Sequence, residues 1–373
     1  MGVQTLAGVG VMRFALLPAL LGAMMVAQSL APAQDPAAGR ASGRAPDAVA
    51  ATARPVPVPA THVLIVAGVG GAPEYEQAFY EGAMKMAEAA RTASSVPDSA
   101  ITVLTERPER DPRHIAARST KIEVERAIAR IAKTARSGDV VFVLLIGHGS
   151  ARDGHSLLNL PGPDMSAADF ARALKPLSAQ RVAIVNTASA SAEFVPVLSA
   201  RSRAIITATS SVMERNATRF ARHFIDAYAG NVADADKDGR LSLLEAYTYA
   251  RREVARDYGS ANQLQSEHAM LDDDGDGKGS AEPGAHTADG ALASRLFLHE
   301  GAAAASVVAG TTSNDPRVAA LLHHKDSLDA KIDALRRRKA STDSTAYEHA
   351  LEALLIDLAT TNQTLRQLTG GTP

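Results

Sequence analysis

The stretch Val140-Val-Phe-Val-Leu-Leu-Ile146, closed by Gly147-His148-Gly149-Ser150, decides how this chain folds. An exposed strand alternates between core and water, so seven apolar residues in a row do not suit one. They suit a strand covered on both faces, as in the middle of a parallel sheet. Just before it, Thr120 opens a helical stretch with Val124, Ile128 and Ile131 at helical spacing, and Gly138 stops it. Further back, His62-Val-Leu-Ile-Val-Ala67 and Ile101-Thr-Val-Leu104 read as strands. An amphipathic segment from 74 to about 93 lies between them, with Phe79, Met84 and Met86 on its apolar side. Beyond the central run, a helix over 166–177 precedes strands at 181–185 and 204–209. Strands alternating with helices predict an α/β domain over 61–230, a mostly parallel sheet flanked by helices. In such sheets the functional site lies at the carboxyl ends of the strands.

Composition narrows the function classes. Net charge is −2, which provides no field for nucleic acid or an anionic membrane. Aromatic residues make up 4% and Trp is absent, so no stacking platform for bases is expected. There is no cysteine, which excludes both disulfides and thiol chemistry. At the N-terminus, Arg13 precedes an apolar run over 15–30, with small residues at Ala31 and Ala33. This pattern predicts a signal peptide over 1–33 and an exported protein, periplasmic or extracellular. A retained anchor is the alternative, though the run is shorter than the roughly 20 residues a spanning helix needs. With the signal removed, no membrane span is expected. Residues 34–60 are rich in Ala, Pro and Gly and read as a disordered linker.

After Gly230 the composition changes, and a calcium-binding extension is expected over 231–299. Asp234-Ala-Asp236-Lys-Asp238-Gly239-Arg240-Leu-Ser242-Leu-Leu-Glu245 fills every position of an EF-hand loop. Asp234, Asp236 and Asp238 supply carboxylates at alternating positions, and Gly239 permits the sharp turn. The Arg240 carbonyl adds a neutral oxygen, Ser242 coordinates directly or through water, and Glu245 closes the shell with both oxygens. Phe220, Phe224, Ile225 and Tyr228 form an entering helix; Leu244, Tyr247 and Ala250 begin an exiting one. A second loop, Asp272-Asp-Asp274-Gly-Asp276-Gly277, carries the first half of the same pattern but has Pro283 at the twelfth position. Calcium held by Asp272, Asp274 and Asp276 and an unliganded acidic turn are both open readings there.

Residues 300–314 read as a small-residue linker, and 315–373 as a helical tail. Leu321, Leu322, Leu328, Ile332 and Leu335, then Leu351, Leu354, Leu355, Leu358 and Leu365, predict two amphipathic helices broken near Ser341. They pack as a hairpin, as a coiled coil that oligomerises through 315–368, or on the chain's own core. Three other signals are weak. Gly68-Val-Gly70-Gly-Ala-Pro73 has a proline where a dinucleotide turn needs its third glycine. His323, His324 and His349, like the basic run 336–339, suit solvated helix surfaces.

The third strand ends in Leu145-Ile-Gly147-His148-Gly149-Ser150, and the fourth in Asn186-Thr-Ala188-Ser-Ala-Ser191. With the strand order over 61–230, this arrangement resembles the caspase and legumain clan of cysteine peptidases, the legumain-like branch most of all. The resemblance implies a general base at His148 and a nucleophilic cysteine at the position held here by Ala188. An alanine methyl cannot attack a carbonyl. One expectation is therefore a pseudopeptidase that acts by binding a peptide or protein partner. The other is a serine-variant hydrolase in which Ser189 or Ser191 replaces the thiol and His148 serves as base. Asp153 and Asp164 are the candidate acids to orient that histidine.

Overall fold

The computed structural model describes residues 59–230, 232–298, 316–338 and 343–369. The expected signal peptide, all but the last two residues of the linker that follows it, and the 300–314 linker lie outside the described residues.

Seven strands form the main sheet: β1 (Thr61–Ala67), β2 (Ile101–Thr105), β3 (Ala117–Arg118), β4 (Val140–Ile146), β8 (Arg181–Asn186), β9 (Arg203–Thr207) and β10 (Met270–Asp272). Their spatial order is β10-β9-β8-β4-β1-β2-β3, and every pairing is parallel except that of β10 with β9. Three short strands, β5 (Gly149–Arg152), β6 (His155–Leu158) and β7 (Met165–Ser166), make a separate antiparallel sheet directly after β4.

The central run behaves as its composition demands, with all seven residues of β4 buried. Val140, Phe142, Leu144 and Ile146 enter one apolar cluster, and Val141, Val143 and Leu145 enter the other. Helices α1 (Pro73–Thr92), α5 (Phe220–Ala229) and α6 (Leu243–Ser260) cover the first face. Helices α2 (Lys121–Thr134), α3 (Ala167–Leu174) and α4 (Phe194–Leu198) cover the second. Capping fixes where two of these helices begin. The Thr120 hydroxyl accepts from the Glu123 amide, and Ser166 with Asp169 forms a reciprocal capping box at α3.

The 231–299 extension shares the core of the α/β domain. Leu243, Tyr247, Leu271 and Leu296 lie in the same cluster as Phe142 and Leu144, and β10 adds an edge strand to the sheet, Leu271 opposite Ile206. The tail forms two helices, α7 (Pro316–Arg337) and α8 (Ser344–Thr369), which pack on each other through Val318, Leu322 and Leu365. Among the described residues no helix is long and apolar enough to cross a membrane.

Candidate metal centre

The first acidic loop joins α5 to α6. Gly239 takes φ +83°, a left-handed turn that a side chain would strain. Backbone amides hold the carboxylates in place. Asp234 accepts from the Asp238 and Gly239 amides at 3.2 and 2.9 Å, and Asp238 accepts from the Arg240 amide at 2.8 Å. Ser242 is the N-cap of α6, and Glu245 completes its capping box, accepting from the Ser242 amide at 2.9 Å and from its hydroxyl at 2.7 Å. The other Glu245 oxygen accepts from the Ala235 amide at 2.9 Å. Helix geometry thus places the twelfth loop residue opposite the first and third.

Asp234, Asp236 and Glu245 each offer one oxygen, and the three lie within 4.8 Å of one another. Burial, with the nearby charges of Asp238, Glu245 and Asp236, pushes the Asp234 carboxyl up to about 7. Burial and the charge of Asp236 also raise Glu245. Carboxylates that raise one another in this way are relieved by a cation between them. Asp238 is buried too, with one oxygen facing cations of the protein itself. It accepts from the ammonium of Lys325 at 2.6 Å and from the Arg240 guanidinium at 3.2 Å.

The second acidic loop follows β10. One oxygen each of Asp272, Asp274 and Asp276 lies within 4.8 Å of the others. Asp272 is fully buried on the edge strand, and neither of its oxygens makes a well-formed hydrogen bond. Burial raises its carboxyl, while the nearby Ser199 hydroxyl and Gly277 amide pull the other way. A buried carboxylate without a hydrogen-bonded partner is costly, and a bound cation is one remedy. Asp273, also buried, is satisfied instead, accepting from the Gly290 and Ala293 amides at 2.8 and 2.7 Å. The loop lies against the segment after β8: a Cβ on Gly275 would reach the Ala200 backbone at 3.3 Å, and one on Gly277 would reach Pro196 at 3.5 Å.

His148, Ala188, Ser189 and Ser191 gather at the carboxyl ends of β4 and β8, near the point where the strand order reverses. The His148 ring lies edge-on between Tyr75 and Phe79, with centroids 4.5 and 5.1 Å away. Desolvation lowers its pKa below 6.5, partly opposed by a hydrogen bond to the Gly70 backbone. The Ser189 hydroxyl donates to the Gly149 carbonyl and accepts from the Gly149 amide. The Ser191 hydroxyl is bonded to Thr209 at 3.0 Å. Among the described residues no hydrogen bond joins His148 to either serine or to a carboxylate, and Asp164 accepts instead from the Leu160 amide.

Beside this region lies an open cleft of about 420 Å³. Glu193 and Pro196 line it from α4 and its N-terminus, Thr209 to Val212 from the segment after β9, Met270 from β10 and Gly277 from the second acidic loop.

Sequence reasoning missed Lys325, the cation in the first loop. It comes from α7, and no local pattern marks a lysine for a site 87 residues away. No family model matches the chain, and no curated protein matches it.

Proposed function

We propose that this chain is an exported calcium-binding protein with a caspase-like, legumain-like core that binds a peptide or protein partner and does not cleave it. The observation that carries the reading is the convergence of Asp234, Asp236 and Glu245 within one EF-hand loop. Oxygen-only ligands, a glycine at the turn and a carboxylate at the twelfth position suit calcium over softer metals. Asp238, the Arg240 carbonyl and Ser242 would complete the shell. Asp272, Asp274 and Asp276 form a second, partial site, supported by the buried Asp272 carboxylate.

Ala188 at the nucleophile position supports binding over hydrolysis, and so do two serine hydroxyls already engaged elsewhere. The partner surface is the cleft between α4, the end of β9 and the second acidic loop, so calcium in that loop would stiffen one of its walls. Thermal unfolding with calcium and with chelator tests the calcium half of the reading. A rise of several degrees with calcium, absent with magnesium at the same concentration, is the expected result. Capture from a peptide library in the two conditions tests the other half. Equal, calcium-independent capture would contradict a calcium-stiffened cleft.

A further inference from the structure

The first acidic loop already has a cation of its own. The Lys325 ammonium donates to Asp236 at 2.7 Å and to Asp238 at 2.6 Å, the third and fifth positions of the loop. Its side chain is only 9% exposed, so this is a seated contact and not a surface encounter. The next residue makes the reciprocal pair: Asp326 accepts from the Arg240 guanidinium at 2.8 and 3.2 Å. Arg240 also bonds Asp238 and lies over the Phe297 ring, 4.3 Å from its centroid. Two successive residues of α7 therefore hold three residues of the loop through opposite charges, Lys325 on Asp236 and Asp238 and Asp326 on Arg240. The apolar cluster built by α7 and α8 is separate from the two clusters on the sheet.

We propose that Lys325 and calcium are alternative counter-ions for the same carboxylates, so that calcium entering the loop releases the α7–α8 pair from it. This rests on the calcium reading above and adds its regulation. An EF-hand ion needs the oxygens of Asp236 and Asp238, and Lys325 holds one from each. An ammonium and a dication cannot share those oxygens without strong like-charge repulsion in a poorly solvated site. Glu245 is already positioned by the capping box, so the lysine is the group that must leave. Linkage makes the effect reciprocal: if calcium weakens docking of the helices, docking weakens calcium binding by the same factor. The tail is then an arm that calcium frees, and its loop-facing surface becomes available only in the calcium-bound protein.

The full chain contains no cysteine, so two labels can be placed uniquely. Spin labels at Ala261→Cys, just beyond α6, and His349→Cys, on α8, are both at exposed positions. Their separation would be measured with and without calcium, alongside calorimetric calcium affinity. The proposal expects calcium to lengthen and broaden the distance distribution. It expects Lys325→Met to bind calcium about tenfold or more tightly and to show the long distances before calcium is added. Lys325→Gln, which retains polar contacts without the charge, guards against misfolding of the methionine variant and should behave in the same way. Lys331→Met, an exposed lysine on the same helix, should behave as wild type. Calcium binding that Glu245→Gln abolishes, with distances unchanged throughout, would overturn the release while leaving the calcium site standing. A gain in affinity in Lys325→Met without a change in distance would reduce the lysine to a local charge and also overturn it. No calcium binding in the wild type or in either Lys325 variant would overturn both readings.

Discussion

The hydroxyl of Ser189 is tied twice to Gly149: it donates to the glycine carbonyl at 3.0 Å and accepts from its amide at 3.2 Å. Gly149 has no alternative at this spot, because a Cβ would come within 2.0 Å of the Ser189 carbonyl oxygen. The pair stitches the start of β5, just after β4, to the turn after β8. In a serine hydrolase that hydroxyl would be held by a histidine; here both of its hydrogen bonds go to the Gly149 backbone.

The expected outcome is an absence of peptide hydrolysis that His148→Ala, Ser189→Ala and Ser191→Ala leave unchanged. Ser189→Ala should instead lower stability by about 1 kcal/mol, the usual net worth of a buried hydrogen bond. Urea denaturation together with a fluorogenic peptide panel checks both statements. By NMR, His148 should titrate below 6.5, since desolvation disfavours its charged form. Turnover that disappears in His148→Ala would revive the serine-hydrolase reading.

Asp169 closes the capping box of α3 and also accepts from Lys121 of α2 at 2.6 Å. Asp169→Ala should cost about 1–2 kcal/mol. Burial alone would raise this carboxyl, but the Lys121 ammonium, the Ser166 amide and the Arg172 guanidinium hold it well below 3.8. A depressed folded-state pKa means the contribution is complete at neutral pH and is lost as pH falls below the ordinary carboxylate value. The stability gap between wild type and variant should therefore be full at pH 7 and narrow below about pH 4. Urea midpoints at the two pH values measure it.

Asp272 provides a crossing test. Without calcium its buried carboxylate has no well-formed partner, and Asp272→Asn should stabilise the protein by about 1–2 kcal/mol. With calcium in excess the order should reverse, because the variant loses a charged ligand. Thermal unfolding in chelator and in calcium reads the crossing. Parallel curves in the two conditions would reduce the second loop to an acidic turn.

Much of the fold was legible because apolar runs report burial directly. Val140 to Ile146 reads as a doubly covered strand and is one. The capping signal Thr120 marks a helix start at the right residue, and the helix expected over 166–177 is α3, which ends at Leu174, three residues short of the expected end. The strands β5 to β7 escaped notice, since Gly149–Arg152 and His155–Leu158 are short and partly polar. One local signal could have found them: Asp153 and Gly154 both take positive φ in a two-residue hairpin turn. The antiparallel edge strand β10 is only three residues long and lies among acidic residues. The acidic loops were legible because an EF-hand pattern has a fixed spacing along the chain, and Asp234, Asp236 and Glu245 do converge. The seating of Lys325 in the first of them was not, because a long-range ion pair leaves no local pattern.

The most direct measurement is calorimetric titration of the purified full chain with calcium, in wild type and in Glu245→Gln. Heat of binding in the wild type that the variant loses or weakens at least tenfold is the result this account predicts. No binding in the wild type, or binding that Glu245→Gln leaves intact, would contradict it.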